Sequence, residues 1–243
     1  MRTTGTTRTR ATCMIRWTPS EALGPRRRWL KLAGAFLAPI AILIAALSFP
    51  PTGDWIRSLN SEPLHGRDVA AQGWQGSFSL LDAQGRRRTL ADFAGRVLLV
   101  DFGYTHCPDA CPTTLSRAAR VRQLLGRDAD KVQVVFITID PKRDGAQMLA
   151  DYVAQFDPSI VALRGTEAET NAAAQAFHAE YHIIPYGQEV LVEHTVDTYL
   201  VDPNGQVRAV LPFDLSAEDV ARDVQAALRE AGLCWPWPLS RRS

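Results

Sequence analysis

From Trp74 onward, the apolar positions alternate between short unbroken runs and helical spacing. "SFSLLD", "AQG" and "RRRTL", residues 77–90, predict a β-hairpin turning on Gly85. "RVLLVDF", residues 96–102, is a nearly continuous apolar run, as expected of a central strand buried on both faces. "PTTLSRAARVRQLL", residues 112–125, places Leu115, Ala118, Val121 and Leu125 on one helical face, with Pro112 in the opening turn. "VQVVFITI", 132–139, predicts a second buried strand, "AQMLADYVAQF", 146–156, a helix, and "VALRG", 161–165, a short strand. The Ala-rich "EAETNAAAQAFHAEY", 167–181, predicts another helix. "DTYLVDPNGQVRAVLPF", 197–213, reads as a hairpin with Asn204 and Gly205 at its turn. "SAEDVARDVQAAL", 216–228, opens on the capping pattern Ser216-x-x-Asp219 and closes the fold as a helix. Strands alternating with helices, with a hairpin before the first pair and another before the last helix, make an α/β sandwich with a mixed sheet.

The chain ahead of Trp74 has a different texture. Residues 1–31 carry Arg2, Arg8, Arg10, Arg16, Arg26, Arg27, Arg28 and Lys31 against the single acid Glu21. Leu32 to Phe49 then holds no charge. At about 1.5 Å per residue this stretch reaches roughly 27 Å, close to a hydrocarbon core of about 30 Å. The expected organisation is therefore a cytoplasmic basic tail (1–31), a transmembrane anchor (32–49), a linker (50–73), a folded domain (74–232) and a C-terminal tail (233–243). A cleaved signal fits less well, because the apolar run is long and "ALSFPP" is a poor cleavage site. The arrangement implies a single-pass protein of the bacterial inner membrane with its domain in the periplasm. The Arg- and Thr-rich, acid-poor tail also reads as a mitochondrial transit peptide, which would place the domain in the intermembrane space instead.

Of the 243 residues, 46% are hydrophobic and 22% charged, enough for an ordinary core. A net charge of +1 gives no ground for a nucleic-acid partner. Four cysteines are too few for a disulfide scaffold, and a chain of this length does not need one.

Two of the four stand together in "DFGYTHCPDACPTTL", at the C-terminal end of the predicted central strand. Such loops are where α/β folds place their chemistry. Cys107 and Cys111 bracket a three-residue arc leading into a helix, whose unpaired N–H groups and dipole favour thiolates. A disulfide here would close too small a loop to stabilise much. Two thiolates are an incomplete site for most metals, and imidazole as a third ligand suits copper. Cys13 and Cys234 have no partner motif. Asp109 and the pair Asp140-Pro141 read as turn residues. Five histidines compete for the third place: His65 in the linker, His106 beside Cys107, His178 and His182 spaced i, i+4 on the predicted helix, and His194 at the entrance to a strand. Spacing does not choose among them.

"FGYTHCPDACPTTL" resembles the signature loop of the SCO/SenC family of copper-binding assembly factors for cytochrome c oxidase. The likeness continues in order through "VVFITIDPKRD" and "EHTVDTYLVDPNGQV", roughly Gly73 to Leu228. It implies a thioredoxin-like fold and a copper site of Cys107, Cys111 and His194. Asp197 and Thr198 stand where relatives often have apolar residues. By this resemblance the protein is a metallochaperone that takes copper, Cu(I) or Cu(II), from an upstream donor protein and delivers it to the binuclear site of oxidase subunit II. Soft sulfur suits Cu(I) and added nitrogen accommodates Cu(II). The alternative is a thiol–disulfide oxidoreductase using the pair Cys107 and Cys111 on that recipient. Zinc in place of copper ranks lower, and the T-x-x-C of a peroxiredoxin is not met. His194, in a segment punctuated by Gly and Pro, is expected on a loop that closes over the metal.

Overall fold

The computed structural model describes residues 63–186 and 189–233. The tail and anchor expected over 1–49 lie outside these residues, as does Cys234. Among the described residues no helix is long and apolar enough to cross a membrane.

The predicted strands are present, joined at one edge by β1 (Arg67–Asp68), which was not predicted. β1, β2 (Ser79–Asp82), β3 (Arg87–Thr89), β4 (Val97–Gly103), β5 (Val132–Thr138), β6 (Val161–Arg164), β9 (Thr198–Val201) and β10 (Val207–Leu211) form one sheet in the order β1-β10-β9-β4-β5-β6-β2-β3. β4, β5 and β6 run parallel; β9 and β10 on one side and β2 and β3 on the other run antiparallel. All seven residues of β4 and of β5 are buried, which is why both read as unbroken apolar runs. Of the two polar residues in β5, Gln133 turns its amide onto the carbonyls of Ser159 and Val134, and the Thr138 hydroxyl donates to Asp144.

Four helices accompany the sheet: α1 (Ala110–Leu125), α2 (Ala146–Ala154), α3 (Glu167–Ala176) and α4 (Ala217–Glu230). α1 and α4 pack on each other, α2 packs on β6 and α3 on β2. The capping pattern forms as written, with the Ser216 hydroxyl accepting from the Asp219 N–H at 3.1 Å. Val220, Val224 and Leu228 turn the buried stripe of α4 inward. This mixed sheet with its helices is the thioredoxin-like arrangement that the resemblance implied.

Three expectations need correction. First, the linker drawn over 50–73 is part of the fold from Leu64 on. The N–H groups of His65 and Gly66 donate to the buried Asp223 carboxylate of α4, β1 pairs with β10, and Val69 is buried. Second, the Ala-rich helix stops at Ala176, not Tyr181. His178 adopts a left-handed φ of 56°, and the N–H groups of His178 and Ala179 close back on the carbonyls of Gln175 and Ala174. That is the hydrogen-bond pattern of a Schellman end, with His where Gly is usual. It buries Phe177 against Phe102 and Tyr199 and stacks His178 on Trp74, ring centroids 4.2 Å apart. His178 and His182 therefore share no helix face. Third, β7 (Tyr181–Tyr186) and β8 (Glu189–His194) form a two-stranded ribbon of their own, where the sequence had offered helix and loop.

Candidate metal centre

The site assembles where β4 ends. Gly103 closes β4, the chain turns through Tyr104 to Asp109, and α1 begins at Ala110, two residues before the predicted Pro112. Pro112 still sits in the first turn, where its missing N–H costs nothing. Cys107 lies in the turn, half-buried; Cys111 lies in the first turn of α1, buried. Both are free thiols. The Cys111 N–H, one of the helix's unpaired donors, points at Cys107 Sγ at 3.4 Å. The helix terminus thus serves Cys107 and not both sulfurs. Burial pushes the Cys111 thiol well above its usual range, so Cys111 holds its proton until a metal displaces it.

The third group arrives from the ribbon. His194 is the last residue of β8, not part of an irregular loop, and its Nε2 lies 3.8 Å from Cys111 Sγ. Its Nδ1 lies 2.8 Å from the Thr195 carbonyl, which can only accept, so Nδ1 carries the ring proton. Nε2 is then the bare nitrogen and faces the sulfurs. Burial lowers the His194 pKa, which keeps the ring neutral. Thr195 also fixes the ribbon's base. Its N–H donates to the Glu180 carbonyl at 2.8 Å, and its hydroxyl accepts the Glu180 N–H at 3.1 Å. The ligand atoms of Cys107, Cys111 and His194 all lie within 4.8 Å of one another. Two thiolates and an imidazole whose outer nitrogen is satisfied are a donor set that copper accepts.

A polar network lies beneath. Asp101, Cys111, Thr114, His194 and Asp197 line a cavity of about 10 Å³. Asp101 is buried, and desolvation raises its pKa to about 6. Its Oδ1 accepts from the Thr198 hydroxyl at 2.5 Å, and Thr198 in turn accepts from Arg117 at 2.9 Å. Arg117 also holds the carbonyls of Pro212, Phe213 and Leu215. Thr198 and Asp197, the departures noted in the sequence, are thus members of this buried network or of the cavity wall. The remaining histidines do not join the site. His65 pairs with Asp223 at 2.9 Å, His106 is exposed with its Nδ1 3.0 Å from the Thr105 hydroxyl, His178 stacks on Trp74, and His182 is exposed in β7. Asp109 precedes the helix but makes no side-chain cap, and Asp140 holds Arg143 at a turn.

A SCO1/SenC family profile matches residues 67–229, more than half of the chain. The chain belongs to the SCO1/SenC family. Among SCO relatives, the mitochondrial protein SCO2 homolog of Homo sapiens is 38% identical over 155 residues, covering 62% of this chain and 58% of that one. The chain thus spans under two thirds of that relative's length. Two solved structures of the family share the fold. ScoI of Bradyrhizobium japonicum with copper bound is 34% identical, with a TM-score of 0.59 over 63% of this chain and 99% of that one. Apo Sco1 of Thermus thermophilus is 32% identical, with a TM-score of 0.63 over 69% of this chain and 98% of that one.

Sequence reasoning from the residues alone left His194 open. Only the SCO1/SenC resemblance singled it out, because its partner sulfurs lie 83 positions or more away in the chain. Thr195 was missed altogether. An "HT" dipeptide carries no signal of the carbonyl that sets the ring's tautomer.

Proposed function

We propose that this protein is a membrane-anchored copper chaperone that holds copper on Cys107, Cys111 and His194. Its recipient is the binuclear copper site of cytochrome c oxidase subunit II, and an upstream protein supplies the ion. Residues 32–49 anchor it, with the folded domain on the far side of the membrane from the basic tail. The observation that carries this reading is the convergence of two sulfurs and one bare imidazole nitrogen within 4.8 Å. Family membership supports it, as does a copper-bound ScoI relative of like fold. Loading Cu(I) removes the protons of two thiols to solvent and leaves the ion three-coordinate. A low-coordinate ion is open to attack by a recipient's thiolate, so transfer proceeds by ligand exchange.

The test is copper titration of the full chain, reduced and oxidised, with each of the three residues replaced in turn. One ion per reduced chain is expected, none on the oxidised chain, and loss of tight binding in Cys107→Ser, Cys111→Ser and His194→Ala. Incubation of the loaded chain with reduced subunit II should then move the copper. A His194→Ala chain that still binds and delivers copper fully would overturn the reading. One that has lost copper yet reduces subunit II disulfides would favour the oxidoreductase reading.

A further inference from the structure

Each residue of the metal centre has its own hold on the fold. Cys111 belongs to the first turn of α1, and His194 is fixed through Thr195. Cys107 belongs to no helix or strand. From Thr105 to Asp109, among the described residues, every hydrogen bond that leaves the turn and α1 starts at Thr105. Two of these three reach Asp144: the Thr105 N–H donates to Oδ2 at 3.1 Å and the hydroxyl to Oδ1 at 2.5 Å. The third is a longer contact, 3.5 Å, to the exposed Met148 sulfur. The His106 ring also approaches Asp144 Oδ1, at 3.6 Å, beyond hydrogen-bond reach.

Asp144 is a poor choice for a residue that only fills space. It is fully buried, and a buried polar group costs free energy unless it is bonded. It does not cap α2, whose N-cap is Gly145 with no side-chain bond. Its neighbour Arg143 is taken by Asp140, and Arg164 bonds the Asp144 carbonyl, not the side chain. What the side chain does hold is Thr105 twice and the Thr138 hydroxyl, at 2.6 Å. Thr138 ends β5, in register with Gly103 of β4. The backbone of Asp144 is itself fixed. Its N–H donates to the Asp140 carbonyl at 3.0 Å, while Arg164 donates to the carbonyls of Asp144 at 3.1 Å and Pro141 at 2.9 Å. The carboxyl group is thus a fixed point at the end of the sheet, and the cysteine turn hangs from it.

We propose that Asp144 is a positioning residue of the metal centre: through Thr105 it sets the turn so that Cys107 Sγ stands beside Cys111 and His194 before the ion arrives. A metal centre tolerates errors of only about 0.2 Å in bond length, so a turn free to wander would have its sulfur in place for a fraction of the time. Fixing the turn in advance removes that ordering cost from binding. Neither Asp144 nor Thr105 bonds the ion, and no proton or electron passes between them and it. That the ion is copper rests on the chaperone reading; that Asp144 fixes Cys107 does not.

The test uses the full reduced chain. Thr105→Val removes the hydroxyl and keeps the shape, Thr105→Ser keeps the hydroxyl, and Asp144→Asn keeps the size while giving up one acceptor. Cu(I) competition with a chelator should show a loss of about ten- to hundredfold for Thr105→Val and for Asp144→Asn, the range seen when a ligand loses its outer partner, and nearly unchanged affinity for Thr105→Ser. The chain carrying both Thr105→Val and Asp144→Asn should lose little more than the worse single variant, because both break one connection. Amide exchange of the metal-free Thr105→Val chain should quicken over 105–109 and keep its rate in β4, β5 and α1, which a general loosening would not do. Should Asp144→Asn fail to fold, the two Thr105 variants carry the test. Unchanged Cu(I) affinity in Thr105→Val overturns the proposal, and so do losses that add in the double variant or exchange that quickens everywhere alike. If the unchanged chain takes no copper, the chaperone reading falls; exchange quickened over 105–109 alone then still supports the hold on the turn, and unchanged exchange there overturns it.

Discussion

Replacing Gly103 with Ala puts a methyl group where β4 meets the metal centre. An added Cβ would lie 2.7 Å from Cys111 Sγ and 2.8 and 3.0 Å from the Phe136 ring. Unstrained contacts between such atoms settle near about 3.5–4.0 Å, so something must retreat by about 1 Å. Phe136 is 1% exposed and packed against Tyr152, with ring centroids 6.0 Å apart. The lone sulfur of Cys111 is the lighter group to displace. Metal centres tolerate errors of about 0.2 Å in their bond lengths, and a shift several times larger takes the sulfur out of range. Overpacking of this size costs about 1–3 kcal/mol. If the metal-bound state bears that strain, copper affinity falls roughly ten- to hundredfold. Urea unfolding of the metal-free chain and Cu(I) competition on the folded chain measure the two parts. A Gly103→Ala chain with the unfolding midpoint and copper affinity of the unchanged one would refute the close packing described at the end of β4.

Two other outcomes follow from burial around the site. In the metal-free reduced chain, iodoacetamide should label Cys107 well before Cys111, because Cys107 is half-exposed while burial raises the Cys111 pKa; mass spectrometry over time reads the order, and Cys111 reacting first would contradict it. Asp101 takes up its proton near pH 6 in the folded chain, against 3.8 when solvated, so the fold binds more protons than the unfolded chain between those values and its stability declines as pH rises through that window, by about 3 kcal/mol. Asp101→Asn should flatten that part of the urea midpoint–pH curve, and an unaltered slope would show that Asp101 is not the group responsible.

Legibility in the sequence followed burial. β4 and β5 were readable because both faces of each are covered and nearly every position is apolar. α4 was readable because its cap and stripe are local. The end of α3 was not, because an Ala-rich run has no stop signal until tertiary packing of Phe177 forces His178 to a left-handed φ. Nor was the ribbon, whose strand β7 contains Pro185 and belongs to no other sheet. Within the site, the two cysteines announced themselves by spacing. The tautomer of His194, set by Thr195, and the acid network under Cys111 depend on residues far apart in the chain.

The ribbon that carries His194 shares its ladder with no strand of the eight-stranded sheet among the described residues. Its base is tied by Glu180 and Thr195. Unzipping it would therefore withdraw one ligand while the hydrophobic interior and both sulfurs stay where they are. The coordination shell can be dismantled from one side, at the modest free energy of a local opening and not that of global unfolding.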